Sequence, residues 1–220
     1  TQAKTLFPYT TLFRSLFAFL KQPEQTLRQY PSSDTSVAGR MARAIAYFMQ
    51  AKLELALPVM EQLNKEHPSD PYLYDLKGQI LFESARIEEA YEAYRAANKL
   101  APNEPLILID FAKVELARTP QADVVSATQH LERSLSIDRD NAGAWRLLAI
   151  AYGKQDNEPM ASLALAEEAL LGGDAAEAMR QAGRALAKLP AKSPAYQRAD
   201  DLKQRALQMK KEKEDAESVF

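Results

Sequence analysis

Across 220 residues the chain sets 28 Lys and Arg against 30 Asp and Glu, a formal charge of -2, with 46% apolar and 26% charged residues. That balance offers no positive field to a phosphate backbone, which argues against nucleic acid as a partner. Zero cysteines exclude disulfides, thiolate metal ligands and thiol nucleophiles, and only seven glycines amid abundant alanine and leucine predict helix.

The chain begins at Thr1 with no charged segment, long apolar run and cleavage site in that order, so no secretory signal is readable. Its most apolar stretch, Leu6 to Leu20, is interrupted by Pro8, Tyr9 and Arg14 and is too short and broken to span a bilayer. Residues 1–15, with "TLFPYTTLFRS", lack a helical period and would read as a short strand if taken alone. They resemble a translated sequencing-adaptor junction, with a natural extended arm as the alternative. Residues 16–36 read as a linker with the remnant of one helix, a short helix begun near Pro23, and a turn.

Self-similarity then dominates. From Pro71 to Pro102, Tyr74, Lys77, Gly78 and Leu81 fall at positions 4, 7, 8 and 11 of a 34-residue unit. Ala90, Tyr94, Ala97 and Pro102 fall at 20, 24, 27 and 32. The pattern resembles the tetratricopeptide repeat, with Lys77 the one departure, standing where leucine is usual. Gly78 is expected to face Ala90 where the two helices approach closely, and Pro102 to stop the second helix.

One unit earlier, Ala44, Tyr47, Ala56 and Pro68 keep the register, and Arg40 misses at position 4. One unit later, Leu108, Phe111 and Ala112 keep it. Ala127, Leu131 and Ser134 then arrive three residues late, which predicts an insertion in the inter-helix loop of "RTPQADVVSA". Arg139 replaces the terminal proline, and Trp145, Leu148, Ala149 and Tyr152 open the fourth unit. Beyond Ala161 two registers fit. "LLGGDAAEAMRQAGRALAKLP" also reads as a second helix, with Ala178, Ala182, Ala185 and Pro190 at 20, 24, 27 and 32. The helix near Pro159 to Leu171 would then serve two pairs, and the numbering stays open.

The expected fold is all-α: a tetratricopeptide-type solenoid of antiparallel helix pairs in a right-handed superhelix over 37–190. Pairs are expected near 37–68, 71–102, 105–139 and 142–171, with 174–190 sharing a helix. A terminal helix with a charged tail that projects or frays follows at 193–220.

Catalytic chemistry is missing from the text. His67 and His130 fit no short metal motif, H-E-x-x-H does not occur, and both read as surface histidines. The adjacent pairs Glu88 with Glu89 and Glu167 with Glu168 read as solvated charge. "LLGGD" reads as a turn with Asp174 capping the next helix, not as a phosphate loop. The expectation is a non-enzyme with no cofactor and no metal.

The later text resembles the tetratricopeptide tail of bacterial HtpX-like, prenyl-endopeptidase-type zinc metallopeptidases. The stretches that carry this are "PEQTLRQYPSSDTSVAGRMARAIAYFMQ", "PYLYDLKGQILFESARIEEA", "TQHLERSLSIDRDNAGAWRLLAIAYG" and "MASLALAEEALLGGDAAEAMRQAGRALAKLP". That family's zinc ligands and general base belong to an N-terminal domain, and none of those positions exists here. The resemblance implies zinc only in the missing domain. It implies a tail that holds substrates or partners beside a protease, peripheral to the membrane on the periplasmic side.

First-helix positions 2, 5, 9, 12 and 13 line the concave wall of such an array. The candidate protein-binding groove is therefore Met41, Ile45 and Phe48, then Tyr72, Asp75, Gln79 and Phe82, then Ile109 and Lys113, then Arg146 and Ile150. Met49, Glu83, Leu106 and Lys154 belong to the same wall. Two functions compete: a scaffold for a protein or peptide ligand, and a regulatory arm that binds its own missing protease domain. In the second, Met41, Ile45, Phe48 and Met49 would pack on upstream protein or on Leu16, Phe17 and Phe19. A carboxylate clamp is disfavoured, because Met41 and Ile45 stand where it carries Lys and Asn.

If residues 1–15 are foreign, deleting them leaves the thermal midpoint nearly unchanged, since a foreign tract has no evolved packing partner. A loss above about 2 kcal/mol, the scale of a buried-core effect, would place the tract in the fold.

Overall fold

A computed structural model describes residues 22–118 and 120–217. The tract 1–15, with Leu16, Phe17 and Phe19 after it, lies outside the described residues. The described elements are all helices: α1 (Pro23–Gln29), α2 (Val37–Met49), α3 (Leu53–Glu66), α4 (Pro71–Glu83), α5 (Ile87–Leu100) and α6 (Pro105–Ala117). They continue as α7 (Gln121–Ile137), α8 (Ala142–Lys154), α9 (Glu158–Leu171), α10 (Ala175–Lys188) and α11 (Pro194–Glu217). The chain forms two compact units, Thr1–Val114 and Glu115–Phe220, and the division falls within α6.

Short polar residues cap several of the described helices. Ser36, Asp70, Asn141, Asn157 and Asp174 each accept a backbone N–H from the first turn of the helix they precede. Each thereby satisfies a donor the helix leaves unpaired. Pro71 and Pro159 sit in first turns, where a missing N–H costs nothing.

Two kinds of turn alternate, and their hydrogen bonds mark the register. Within pairs, a three-residue turn puts its middle residue in the left-handed region: Ala51 at φ 58°, Ala85 at φ 59° and Asp156 at φ 56°. The amide just after each donates to the carbonyl of Tyr47, Leu81 or Tyr152, all at 2.9 Å, the residues at position 11 of their units. Between pairs, the carbonyls of Leu63, Ala97 and Ser134, at position 27, accept the amides of His67, Ala101 and Asp138.

These bonds describe the region that the sequence leaves open. The α9–α10 turn is of the within-pair kind, with Gly173 at φ 76° and Asp174 N–H donating to Ala169 at 2.9 Å. The α10–α11 turn starts like the between-pair kind, with Leu189 N–H donating to Ala185 at 2.9 Å. So α9 follows α8 as a second helix and precedes α10 as a first helix.

The late anchors of the third pair have a different origin from the expected loop insertion. Only residues 118–120 separate α6 from α7, as three residues separate α4 from α5. The extra length sits in α7, which has 17 residues against 14 in α5. Pro120 precedes the first turn directly, so the helix begins early and absorbs the residues as hydrogen-bonded backbone. The charged end of α11 is likewise helical to Glu217.

In the first unit Ile45, Met60, Leu63, Leu73, Leu76, Ile80 and Leu81 form one buried cluster with Tyr94 and Phe111. Each such aliphatic chain contributes roughly 1.5–3 kcal/mol on burial. Ala44, Ala56, Ala90 and Ala97 are wholly buried between the helices. The ring of Tyr91 meets that of Phe111 at 5.3 Å between centroids, tilted by 50°. Arg40, the misfit at position 4, donates to Glu66 at 2.5 Å and ties α2 to α3 by charge. Buried Arg43 donates to the Pro31 carbonyl at 2.7 Å and fixes the turn that brings α1 onto α2.

The second unit has a smaller-grained core. Ala178, Ala182, Ala185, Ala199 and Ala206 have no exposed surface and let α9, α10 and α11 close around Leu202. Two carboxylates are buried in this unit. Glu115, 1% exposed, accepts from Ser126 Oγ at 2.7 Å and from His130 Nδ1 at 2.8 Å, so His130 is a partner of a buried acid and not a free surface residue. Glu167 is also buried, not solvated. Arg198 clamps both its oxygens, at 2.5 and 2.7 Å, and Arg139 adds a third contact at 3.3 Å. The desolvation cost of a buried carboxylate is offset only when its lone pairs are filled this way.

Gly78 has a different partner from the one expected. A Cβ built on it would lie 2.7 Å from Cε2 and 2.8 Å from Cδ2 of the buried Tyr94 ring. Gly78→Leu should therefore destabilise by roughly 1–3 kcal/mol through overpacking. Less than about 1 kcal/mol is recovered from helix propensity. Gly153→Ala is the control, since nothing lies within 4 Å of its added Cβ, and it should be neutral or slightly stabilising. Urea denaturation followed by circular dichroism reads both, and an unchanged midpoint for Gly78→Leu would contradict the packing.

Candidate protein-binding surface

The first unit carries most of the predicted groove, and the structure sorts it into core and surface. Met41 and Ile45 are 6% and 0% exposed and belong to the buried cluster. Tyr72 at 6% and Ile109 at 3% are buried as well. These four cannot present a side chain to a ligand. For Met41, Ile45 and Tyr72 the physical reason is that α2 is covered by α1 as well as α3, and α4 by α3 as well as α5. Positions that would line an open wall are thus closed over.

What remains open is narrower. Asp75, Gln79 and Phe82 follow one another at i, i+4 and i+7 along α4 and make one half-buried stripe. Phe82 packs its inner side against the cluster, as Phe48 does on α2. On α6, Leu106 is half-buried and Lys113 donates to Asp110 at 2.5 Å. The α4 stripe combines apolar contact with one acid and one amide. Met49, at 39% exposed, adds apolar surface at the end of α2.

In the second unit, Arg146 is exposed and donates to Glu168 at 3.0 Å, while Ile150 is 46% exposed on the same helix. Lys154 donates to the Leu116 carbonyl at 3.1 Å. Among the described residues no group of three or more His, Cys, Asp or Glu is placed to hold a metal ion. No described helix is long and apolar enough to cross a membrane.

Two buried tyrosines have shifted hydroxyls. Burial first, and then the Glu104 carboxylate 3.4 Å away, pushes Tyr72 up to about 12. Burial, and then its hydrogen bond to Glu132, pushes Tyr152 up as well. Below about pH 10 tyrosine is protonated in both the folded and the unfolded chain and adds no pH dependence. Above it the unfolded chain loses the proton first, so stability falls as pH rises towards the folded value. The urea midpoint should drop between pH 8 and pH 11.5, and Tyr72→Phe should drop less; equal declines would contradict this origin.

Residues 71–104, which hold α4, α5 and the turn that follows, match the tetratricopeptide repeat model. No curated protein matches the chain in sequence. Among solved structures, MamA is 14% identical over 78% of this chain and 96% of its own, with a TM-score of 0.57. The C-terminal part of a TPR repeat-containing protein from Cytophaga hutchinsonii is 16% identical over 91% of this chain and 77% of its own, with a TM-score of 0.59. A chain of the APC/C hetero-tetramer Cut9–Hcn1 is 20% identical over 84% of this chain and 40% of its own, at 0.55. These likenesses agree with the turns and the buried alanines: the fold is all-α, with antiparallel helix pairs of the tetratricopeptide type.

Proposed function

We propose that the chain is a non-catalytic scaffold that binds a protein or peptide through its helix-pair array. The observation that carries this reading is the α4 stripe of Asp75, Gln79 and Phe82, which presents an aromatic side chain beside polar groups on a rigid helix. Anchors of that kind suit an extended segment or a helix laid along the surface. A structurally similar chain is solved in a hetero-tetramer, which supports the class of function without naming a partner here.

The second reading is a substrate-binding or regulatory arm of a zinc metallopeptidase, held on the periplasmic side of a membrane and docked on its own catalytic domain. It draws on the resemblance of residues 22–200 to those tails and on the apolar end of α2 at Phe48 and Met49. A genomic reading frame with H-E-x-x-H upstream would favour it over the free scaffold.

Selection of displayed random peptides on the purified chain tests the first reading. A consensus should emerge whose binding weakens at least about tenfold, or 1.4 kcal/mol, in Phe82→Ala combined with Gln79→Ala. The exposed Arg95→Ala on α5 should leave it unchanged. Peptides indifferent to both variants would refute the α4 surface.

A further inference from the structure

The second unit holds a crevice of about 270 Å³ between α7, α8 and α9, closed at one side by Arg198 of α11. Leu135, Leu148, Met160 and Leu163 form its walls, and Trp145 and Tyr152 stand on the α8 side. It lies where Arg139 replaces the proline that ends the earlier units, next to the residues at positions 4 and 7 of the following first helix. In the first unit the corresponding junction, at Pro68, Tyr74 and Lys77, is a wider hollow with more polar lining, to which Glu61, Gln62, Asn64 and Lys65 also contribute. Leu148 at position 7 lines the second crevice, which is the more apolar.

We infer that this crevice receives one bulky neutral side chain, preferably aromatic, from a partner polypeptide. Its size suits a ring, since an apolar cavity of about 150 Å³ already takes benzene. The polar groups of its inner wall are already hydrogen-bonded. Trp145 Nε1 donates to the Arg139 carbonyl at 2.8 Å, and Tyr152 Oη donates to Glu132 at 2.5 Å. Glu167 is filled by Arg198 and Arg139. Water needs two to four polar partners to be held, and these walls offer few.

Charge sets the ligand's character. Glu132 and Glu167 balance Arg139 and Arg198, so a charged side chain would give up its hydration with no net field to replace it. A ring gains from the indole of Trp145 and from the guanidinium of Arg139. That group donates to Glu167 within its own plane, while its side chain is 57% exposed, so a planar face remains to stack. The exposed rim groups Arg139, Ser136 and Glu132 can bond the backbone that carries the ring, which favours a polypeptide over a free small molecule. None of these residues belongs to the α4 stripe, so the crevice can bind whether or not that stripe does.

Trp145 is the chain's single tryptophan, so its emission reports the crevice directly. Titration of the full chain with acetyl-Ala-Phe-Ala-amide should give a saturable change. Its half-saturation should lie at least tenfold below that of the Ala-Ala-Ala and Ala-Glu-Ala analogues. Ser136→Phe, which fills the rim from an exposed position, should raise the half-saturation at least tenfold. If circular dichroism shows that variant unfolded, the peptide comparison on the unaltered chain decides alone. Equal responses to the three peptides, an undiminished response in folded Ser136→Phe, or benzyl alcohol matching the Phe peptide would each overturn the assignment.

Discussion

At Gly78 the ring of Tyr94 stands in the space that a Cβ would need, and the two helices of the second pair close on each other through that contact. Interiors packed to crystal-like density have no slack to accommodate an added methylene there. The same demand for small residues recurs at Ala44, Ala56, Ala90 and Ala97, none of which has exposed surface. The turns at 50–52, 84–86 and 155–157 are three residues long, and each reverses the chain through a middle residue at positive φ. Ala51, Ala85 and Asp156 accept that conformation although glycine would adopt it more readily. The six-residue backbone bond to position 11 and the buried tyrosines at positions 11 and 24 are consequences of one distance between helices.

The second unit meets this constraint with different material. Its helices are spaced by alanine on several faces, so α10 can lie against α9 on one side and α11 on the other. A stripe of methyl groups buries little apolar area per residue, and the unit adds charge-assisted bonds at Glu115 and Glu167. Such pairs specify position more than they add stability, because removing one partner strands the other without water. Glu167 links α9 to α11, two elements that are not consecutive, and this fixes where the last helix sits.

Much of the fold was legible because it depends on local spacing. Small residues at 8, 20 and 27 and prolines at 32 are visible in the text, and the turn bonds follow the same offsets. Three features were not. The partner of Gly78 is four residues beyond Ala90, one turn along the same helix, and spacing alone does not say which of the two rests on the glycine. The late anchors of the third pair fit a longer loop or a longer helix equally well, and only the position of Pro120 relative to α7 distinguishes them. The roles of His130 and Glu167 depend on Glu115 and Arg198, 15 and 31 residues away, at separations no short motif records.

The surface was the least legible part, for a geometric reason. Repeat positions are defined by what an ideal interior pair does, whereas exposure depends on what lies beyond each helix. Met41 and Ile45 occupy wall positions in a first pair whose first helix α1 also covers, so they became core. Lys77 and Leu148 occupy one repeat position with different outcomes: the ammonium reaches Glu61 at 3.7 Å beside a hollow of mixed lining, and the leucine lines an apolar one. A repeat scaffold thus keeps its backbone constant through the small residues and changes its chemistry through the large ones. Equivalent junctions therefore share a backbone and differ in the chemistry of the surface they expose.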